Sequence, residues 1–185
     1  MLEIVGAGMP RTGTRTICEA LRILGYDAVH NPQWNDMPLY PKRTAVVLPS
    51  RQEQAVADGP AVLYWPVLAV THSAKVILTV RSLDTWWESI KRHANKIRTG
   101  EDMRHIAYTD AFHGLLFGTP QPCEYWWKRR YEEHNERVKA TIARDSLLVM
   151  DIVGGDKWDV LCPFLDKPEP EEEFPWENKA ENIAS

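Results

Sequence analysis

The sequence predicts an α/β protein of three layers, a central parallel sheet flanked by helices on both faces. Three observations carry this. A short apolar run, Leu2-Glu3-Ile4-Val5, leads through a glycine-rich turn into an amphipathic helix. Residues 74–80, Ala74-Lys75-Val76-Ile77-Leu78-Thr79-Val80, are apolar and rich in β-branched side chains, the pattern of a strand buried on both faces. Beyond the glycine turn, strand-like and helix-like segments alternate, which implies right-handed crossovers and a covered parallel sheet.

Taken in order, residues 14–24 place Ile17, Leu21 and Leu24 on one helical face and stop at Gly25. Residues 26–30 form a short second strand ending on His30. Residues 31–50, rich in proline and polar side chains, read as a long connection. Residues 52–57 suit a short helix. Asp58-Gly59-Pro60 then opens a helix running to Val70, which Pro66 is expected to kink. Arg81 ends the strand of residues 74–80. Ser82-Leu83-Asp84 caps a helix to about Ile97, with Trp86, Ile90 and His93 along one stripe. Residues 103–116 and 124–143 are two further helices, 146–152 a further buried strand and 157–165 a last helix. The tail from Pro168 is acidic and proline-rich, and Phe174 and Trp176 are the side chains able to dock it. No repeat or low-complexity linker divides the chain, so residues 1–185 read as a single domain with 168–185 as its tail.

Composition narrows the chemistry. With 44% hydrophobic and 26% charged residues in 185, the chain has an ordinary soluble composition and length enough for a sizeable core. A net charge of -4 offers no global attraction for nucleic acid. Basic residues nevertheless cluster at Arg11/Arg15, Lys42-Arg43, Lys91-Arg92 and Lys128-Arg129-Arg130, each a solvated face or an anion contact. The three cysteines have no paired spacing, and Cys18 and Cys162 fall in apolar segments as core residues. The six histidines form no HxxxH or HExxH pattern, so no metal site is expected. The longest apolar run, residues 61–70, is about half the ~20 residues a membrane span needs. With no leader before the first strand, a reduced cytoplasmic setting is the expectation.

In a parallel sheet, ligands collect at the carboxyl ends of the strands. Three groups of interest fall there: the glycine turn after the first strand, His30 after the second, and Arg81 after residues 74–80. The turn, Gly6-Ala7-Gly8-Met9-Pro10-Arg11-Thr12-Gly13-Thr14-Arg15-Thr16, presents backbone N–H groups to a phosphate. Aligned on GxxxxGK(S/T), it has Thr14 where the lysine belongs and Arg15 where the metal-binding hydroxyl belongs. The cation has moved into the loop, to Arg11. Such a loop favours a nucleotide other than a magnesium-bound triphosphate. Arg81 and Ser89, at a strand end and two turns into the next helix, suit a second phosphate. An Arg81–Asp84 pair with an exposed Ser89 explains the same residues equally well.

Together these elements resemble a known family. Pro10-Arg11-Thr12-Gly13-Thr14 and the run from Val76 through Val80-Arg81-Ser82-Leu83-Asp84-Thr85-Trp86 are similar to the two nucleotide-binding elements of the P-loop sulfotransferases. The likeness continues through Tyr131-Glu132-Glu133-His134-Asn135-Glu136-Arg137-Val138, Leu147-Leu148-Val149-Met150-Asp151, Trp158-Asp159-Val160-Leu161-Cys162-Pro163-Phe164-Leu165 and Phe174-Pro175-Trp176-Glu177-Asn178. The resemblance implies a P-loop-type fold and a metal-independent transferase. Its donor would be 3′-phosphoadenosine 5′-phosphosulfate, its acceptor a hydroxyl or amine, and its product 3′,5′-adenosine bisphosphate. Carried over by position, Arg11, Thr12, Gly13, Thr14, Arg15 and Thr16 would wrap the 5′ end of the donor. Arg81 and Ser89 would grip its 3′-phosphate. Two positions depart from the family pattern: Arg15 stands where a second Ser or Thr is usual, and Val67 where relatives commonly carry a Glu.

Transfer needs a base for the acceptor's proton and a cation for the leaving oxygen. Arg11 suits the second role. His30, at a strand end and at a family histidine position, is the first candidate base, against a plain solvated loop histidine. Asp58 is the second, against a helix N-cap. His134, on a helix face with Tyr131 and Val138, reads as a structural hydrogen-bonding group. The acceptor would lie under residues 31–50 and 97–122, whose Trp34, Tyr40, His105, Tyr108, Phe112, His113 and Phe117 form a partly aromatic wall. That wall favours a small molecule over a polyanionic glycan. Two other classes fit parts of the sequence: a nucleotide kinase or NTPase, and a non-catalytic nucleotide-binding relative.

Overall fold

The structure is a computed structural model that describes residues 1–32, 53–100 and 102–176. Five strands, β1 (Ile4–Gly6), β2 (Ala28–His30), β3 (Ala55–Ala57), β4 (Lys75–Thr79) and β5 (Leu147–Met150), form one parallel sheet in the order β2-β3-β1-β4-β5. Around them pack α1 (Thr14–Ile23), α2 (Pro60–His72), α3 (Leu83–Arg98), α4 (Met103–Phe117), α5 (Glu124–Thr141) and α6 (Trp158–Leu165).

The alternation of side chains along each strand divides the core in two. Ile4, Ala55, Ala57 and Ile77 pack with Ile17 and Leu21 of α1 and Leu161 of α6. Val5, Val56, Val76 and Leu78 pack with Trp65 and Leu68 of α2 and Val138 of α5. The chain leaves β1 toward β2 in one direction and leaves β3 toward β4 in the other. Right-handed crossovers therefore put α1 and α2 on opposite faces and open a crevice at the carboxyl end of β1. A third apolar cluster, with Trp86, Trp87, Ile90, Phe117 and Trp127, joins α3, α4 and α5.

Several expectations change here. Residues 52–57 were expected as a helix; instead Ala55–Ala57 is β3, buried between β2 and β1. Alanine is a poor strand former, and three residues are too few for alternation to show. Hydrogen bonds to a neighbour on each side outweigh that local preference. The strand predicted over residues 146–152 is shorter and lies at the sheet edge, with Val149 39% exposed, so it is not buried throughout. Helix α2 continues past Pro66 to His72. Cys18 and Cys162 are buried core residues, and burial pushes the Cys18 thiol up to about 12. Phe174 docks the tail edge-on against Trp158, ring centroids 4.8 Å apart, and Trp158 Nε1 donates to the Glu172 carbonyl at 2.8 Å. Trp34, Tyr40, the Lys42-Arg43 pair and the end of the tail lie outside the described residues. No described helix is long and apolar enough to cross a membrane.

Candidate active site

The turn from β1 into α1 is held from several sides. A Cβ on Gly8 would collide with Thr79 Oγ1, so only glycine lets the loop lie against β4. Thr12 Oγ1 donates to the Met9 carbonyl at 2.7 Å and accepts from Thr79 Oγ1 at 2.6 Å. Trp86 Nε1 donates to the Pro10 carbonyl at 3.0 Å, and His134 Nε2 donates to the Ala7 carbonyl at 2.7 Å. Arg11 has a φ of 73°, a strained value for a side-chain-bearing residue, which these contacts sustain. Helix α1 begins after Gly13 with no side-chain cap, and the residues that open it, with the positive end of its dipole, line the crevice.

There the structure forms a cleft of about 660 Å³, lined by Arg11, Gly13, Thr14, Arg15, Thr16, His30, Asp58, Arg81, Asp84, Thr85, Glu88, Ser89, Arg92, Ile152, Val153 and Trp176. Arg11 Nε donates to Ser89 Oγ at 3.2 Å and Arg81 Nε to Thr85 Oγ1 at 3.1 Å. Among the described residues, none of the four arginines reaches a carboxylate closely enough to pair. Burial first, then Arg81, Arg92 and Arg15, pull the Arg11 guanidinium below its ordinary value, with Asp58 acting against them. Burial also lowers Arg81, against Asp151. Cations held together with no carboxylate paired to them among the described residues suit a polyanion. The aromatic cluster supports this wall: Tyr131 Oη accepts from the Arg81 N–H at 2.8 Å and donates to the Arg81 carbonyl at 2.7 Å, while its ring stacks on Trp86 at 4.2 Å.

Opposite the arginines stand three coupled groups. Thr14 Oγ1 donates to Asp58 Oδ2 at 2.5 Å, and His30 Nε2 lies 3.1 Å from the same oxygen and 3.2 Å from Thr14 Oγ1. The threonine's only proton is on Asp58, so Nε2 faces two acceptors and carries hydrogen itself. Nδ1 is then the nitrogen with the lone pair in the neutral ring. Asp58 is placed by an unusual turn, with φ of 64° at Asp58 and 49° at Gly59, where a Cβ would strike the Asn31 side chain. Its Oδ1 accepts from the Gly59 N–H at 2.6 Å. Burial drives the Asp58 carboxyl up, but the hydrogen bond and field of His30, with Thr14 and Gly59, outweigh it and hold the group below its ordinary value.

Of the residues singled out in the sequence, Arg11, Gly13, Thr14, Arg15, Thr16, His30, Asp58, Arg81 and Ser89 meet in this one cleft. Thr12 does not; it is fully buried and its hydroxyl is committed to Met9 and Thr79. Asp58 is not an N-cap, since Gly59 occupies that position and α2 has no side-chain cap. Nor does Arg81 pair with Asp84, which binds Lys128 at 2.8 Å. Phe112, His113 and Phe117 belong to the buried α3–α5 cluster rather than to an acceptor wall, whereas Tyr108 is 38% exposed. Val67 is exposed on α2 and off the cleft. Sequence reasoning left Arg92 undecided between a solvated face and an anion contact, and missed the cleft position of Trp176. Arg92 follows Thr85, Glu88 and Ser89 at helical spacing, so the face that carries Ser89 also carries Arg92.

The family described as a sulfotransferase domain matches residues 3–48 and 49–183. A relative from Aspergillus versicolor, Ava biosynthesis cluster protein M, is 31% identical over 143 residues, covering 65% of this chain and 52% of the relative. The chain thus spans about half the length of that relative. The crystal structure of a sulfotransferase from Alicyclobacillus acidocaldarius superposes with a TM-score of 0.55 at 14% identity, covering 98% of this chain and 87% of that one. At that identity the likeness speaks for the fold.

Proposed function

The chain belongs to the sulfotransferase family, and on that premise we propose that it moves a sulfonyl group from 3′-phosphoadenosine 5′-phosphosulfate to a hydroxyl or amine of a small acceptor, without a metal, in the cytoplasm. The observation that carries this reading is the meeting, in one cleft, of four arginines that pair with no carboxylate among the described residues and a histidine held against Asp58. Arg11, the N–H groups opening α1 and the side chains of Thr14, Arg15 and Thr16 would hold the phosphosulfate end. Arg81 and Ser89, with Arg92 beside them, would hold the 3′-phosphate. The clustered cations match a ligand with two anionic ends.

In this reading His30 takes the acceptor's proton on Nδ1 while Asp58 holds Nε2–H and stabilises the imidazolium that forms. As the acceptor's bond to sulfur forms, the bond from sulfur to the phosphate's bridging oxygen breaks. Arg11 and the α1 N–H groups bear the negative charge that collects on that oxygen. They are fixed before the reaction, so they need no reorganisation during it. Val67 lies off the cleft, and the carboxylate beside His30 is Asp58. Arg15 adds a cation where relatives carry a hydroxyl.

Calorimetric titration tests the donor assignment. Metal-free 3′,5′-adenosine bisphosphate is expected to bind, and more tightly than ATP with Mg²⁺. Preference for magnesium-bound ATP would overturn the reading in favour of a kinase or NTPase. Binding of neither nucleotide would also overturn it.

A further inference from the structure

Thr14 stands between the two halves of the cleft. It occupies the first position of α1, at the helix end that lines the crevice, yet its hydroxyl points to the proton-transfer side. A threonine hydroxyl has a single proton to donate. At 2.5 Å from Asp58 Oδ2 that proton is committed, and the same carboxylate oxygen also receives His30 Nε2–H. One oxygen thus serves two donors, and one of them belongs equally to the phosphate subsite.

We propose that Thr14 is a positioning residue that couples occupancy of the donor subsite to the His30–Asp58 pair; this rests on the donor reading given above. An anion at the start of α1 draws the Thr14 proton to itself. Asp58 Oδ2, shared in the ligand-free protein, is then left to the imidazole alone, and His30 is held more firmly for proton transfer when the donor is present. Acceptor activation follows donor binding, which keeps the base from acting on an acceptor with nothing to receive.

Linkage makes the coupling measurable without turnover, because Asp58 must compete with the bound anion for the Thr14 proton. Affinity for 3′,5′-adenosine bisphosphate is measured in the parent protein, Asp58→Asn, Thr14→Val and the double variant. Removing the carboxylate takes a negative charge from the cleft and tightens binding whether or not Thr14 is present. Coupling adds a further gain that needs the hydroxyl, so the Asp58→Asn gain is expected to be about five-fold or more larger in the parent than in Thr14→Val. Thr14→Ser should restore the larger gain. In NMR, the His30 Nε2–H resonance of the parent should move when the bisphosphate is added, and Thr14→Val should reduce that movement to the direct effect of the bound anion. Equal Asp58→Asn gains in both backgrounds, or an unmoved His30 signal in a parent that binds, would overturn the coupling while leaving the donor reading intact. A parent that binds no bisphosphate would overturn both.

Discussion

Two groups of basic side chains in this molecule differ in how the chain assembles them and in what surrounds them. Lys128, Arg129 and Arg130 lie on the outer face of α5. There Lys128 pairs with Asp84 and Glu124 at 2.8 and 2.9 Å, and Arg129 and Arg130 both reach Glu133 at 2.7 and 3.1 Å. Those partners raise the Lys128 ammonium and the Arg129 guanidinium above their ordinary values. Arg11, Arg15, Arg81 and Arg92 are drawn from a loop, a helix start, a strand end and a helix face. Arg11 and Arg81 are pulled below theirs, first by burial. Opposite shifts of the same kind of group distinguish an exposed, paired surface from partly buried cations that pair with no carboxylate among the described residues. Cation density does not mark an anion site; uncompensated and partly desolvated cations do.

The comparison breaks most sharply if chemistry and binding cannot be separated within the cleft. His30→Gln is expected to lower turnover by about 10²-fold or more while bisphosphate affinity stays unchanged, read by steady-state rates beside calorimetry. A parallel loss of both would make His30 a binding residue only.

The aromatic cluster that buttresses the cleft carries its own signature. His113 is buried among Phe112, Phe117 and Trp127, and burial, with the field of His93, lowers its imidazole to about 4. Between about 6.5 and 4 the unfolded chain binds a proton that the fold refuses, so stability falls as pH drops through that window. By pH 4.5 the loss attributable to this side chain is about 2–3 kcal/mol. Denaturant unfolding from pH 7.5 to 4.5 should show that loss in the parent and a flatter profile in His113→Phe. Identical profiles would place the histidine in contact with water.

Arg11→Ala and Arg81→Ala should each weaken bisphosphate binding by about 1.5–3 kcal/mol, the scale of a hydrogen bond to a charged group. Arg92→Ala should weaken it by about 1 kcal/mol, as a cation near the ligand rather than in a fixed fork. Calorimetry that ranks Arg92 above Arg81 would move the second phosphate along α3. The smallest effect is expected on α5, where Lys128→Ala and Arg129→Ala should change bisphosphate affinity by less than about two-fold, since paired surface cations add little. A ten-fold loss there would erase the contrast between the clusters.

The sheet order was open to sequence reasoning only in part. Val76, Ile77 and Leu78 mark β4 because a buried parallel strand must be apolar on both faces, and the Gly6–Thr16 run marks the loop because few sequences accommodate that turn. β3 escaped notice because Ala55-Val56-Ala57 has no signal of its own; it is a strand because β2 and β1 supply its hydrogen bonds. That one omission hid why Asp58 is in the cleft. As the residue after a strand inserted beside His30, it is carried to Thr14, and a helix cap would not have been.

Local pattern and spacing along single elements marked the α/β class, the glycine loop and Arg11, and left Arg81, Ser89 and His30 each open to a plain structural reading that family resemblance tipped toward a ligand. Tertiary structure decided which cations remain without carboxylates, that Thr12 turns inward, that Arg92 and Trp176 reach the cleft, and that Thr14, His30 and Asp58 share one proton network. Compensation of charge and sharing of a hydrogen bond depend on distances between residues far apart in the chain, and only the packed sheet sets those distances.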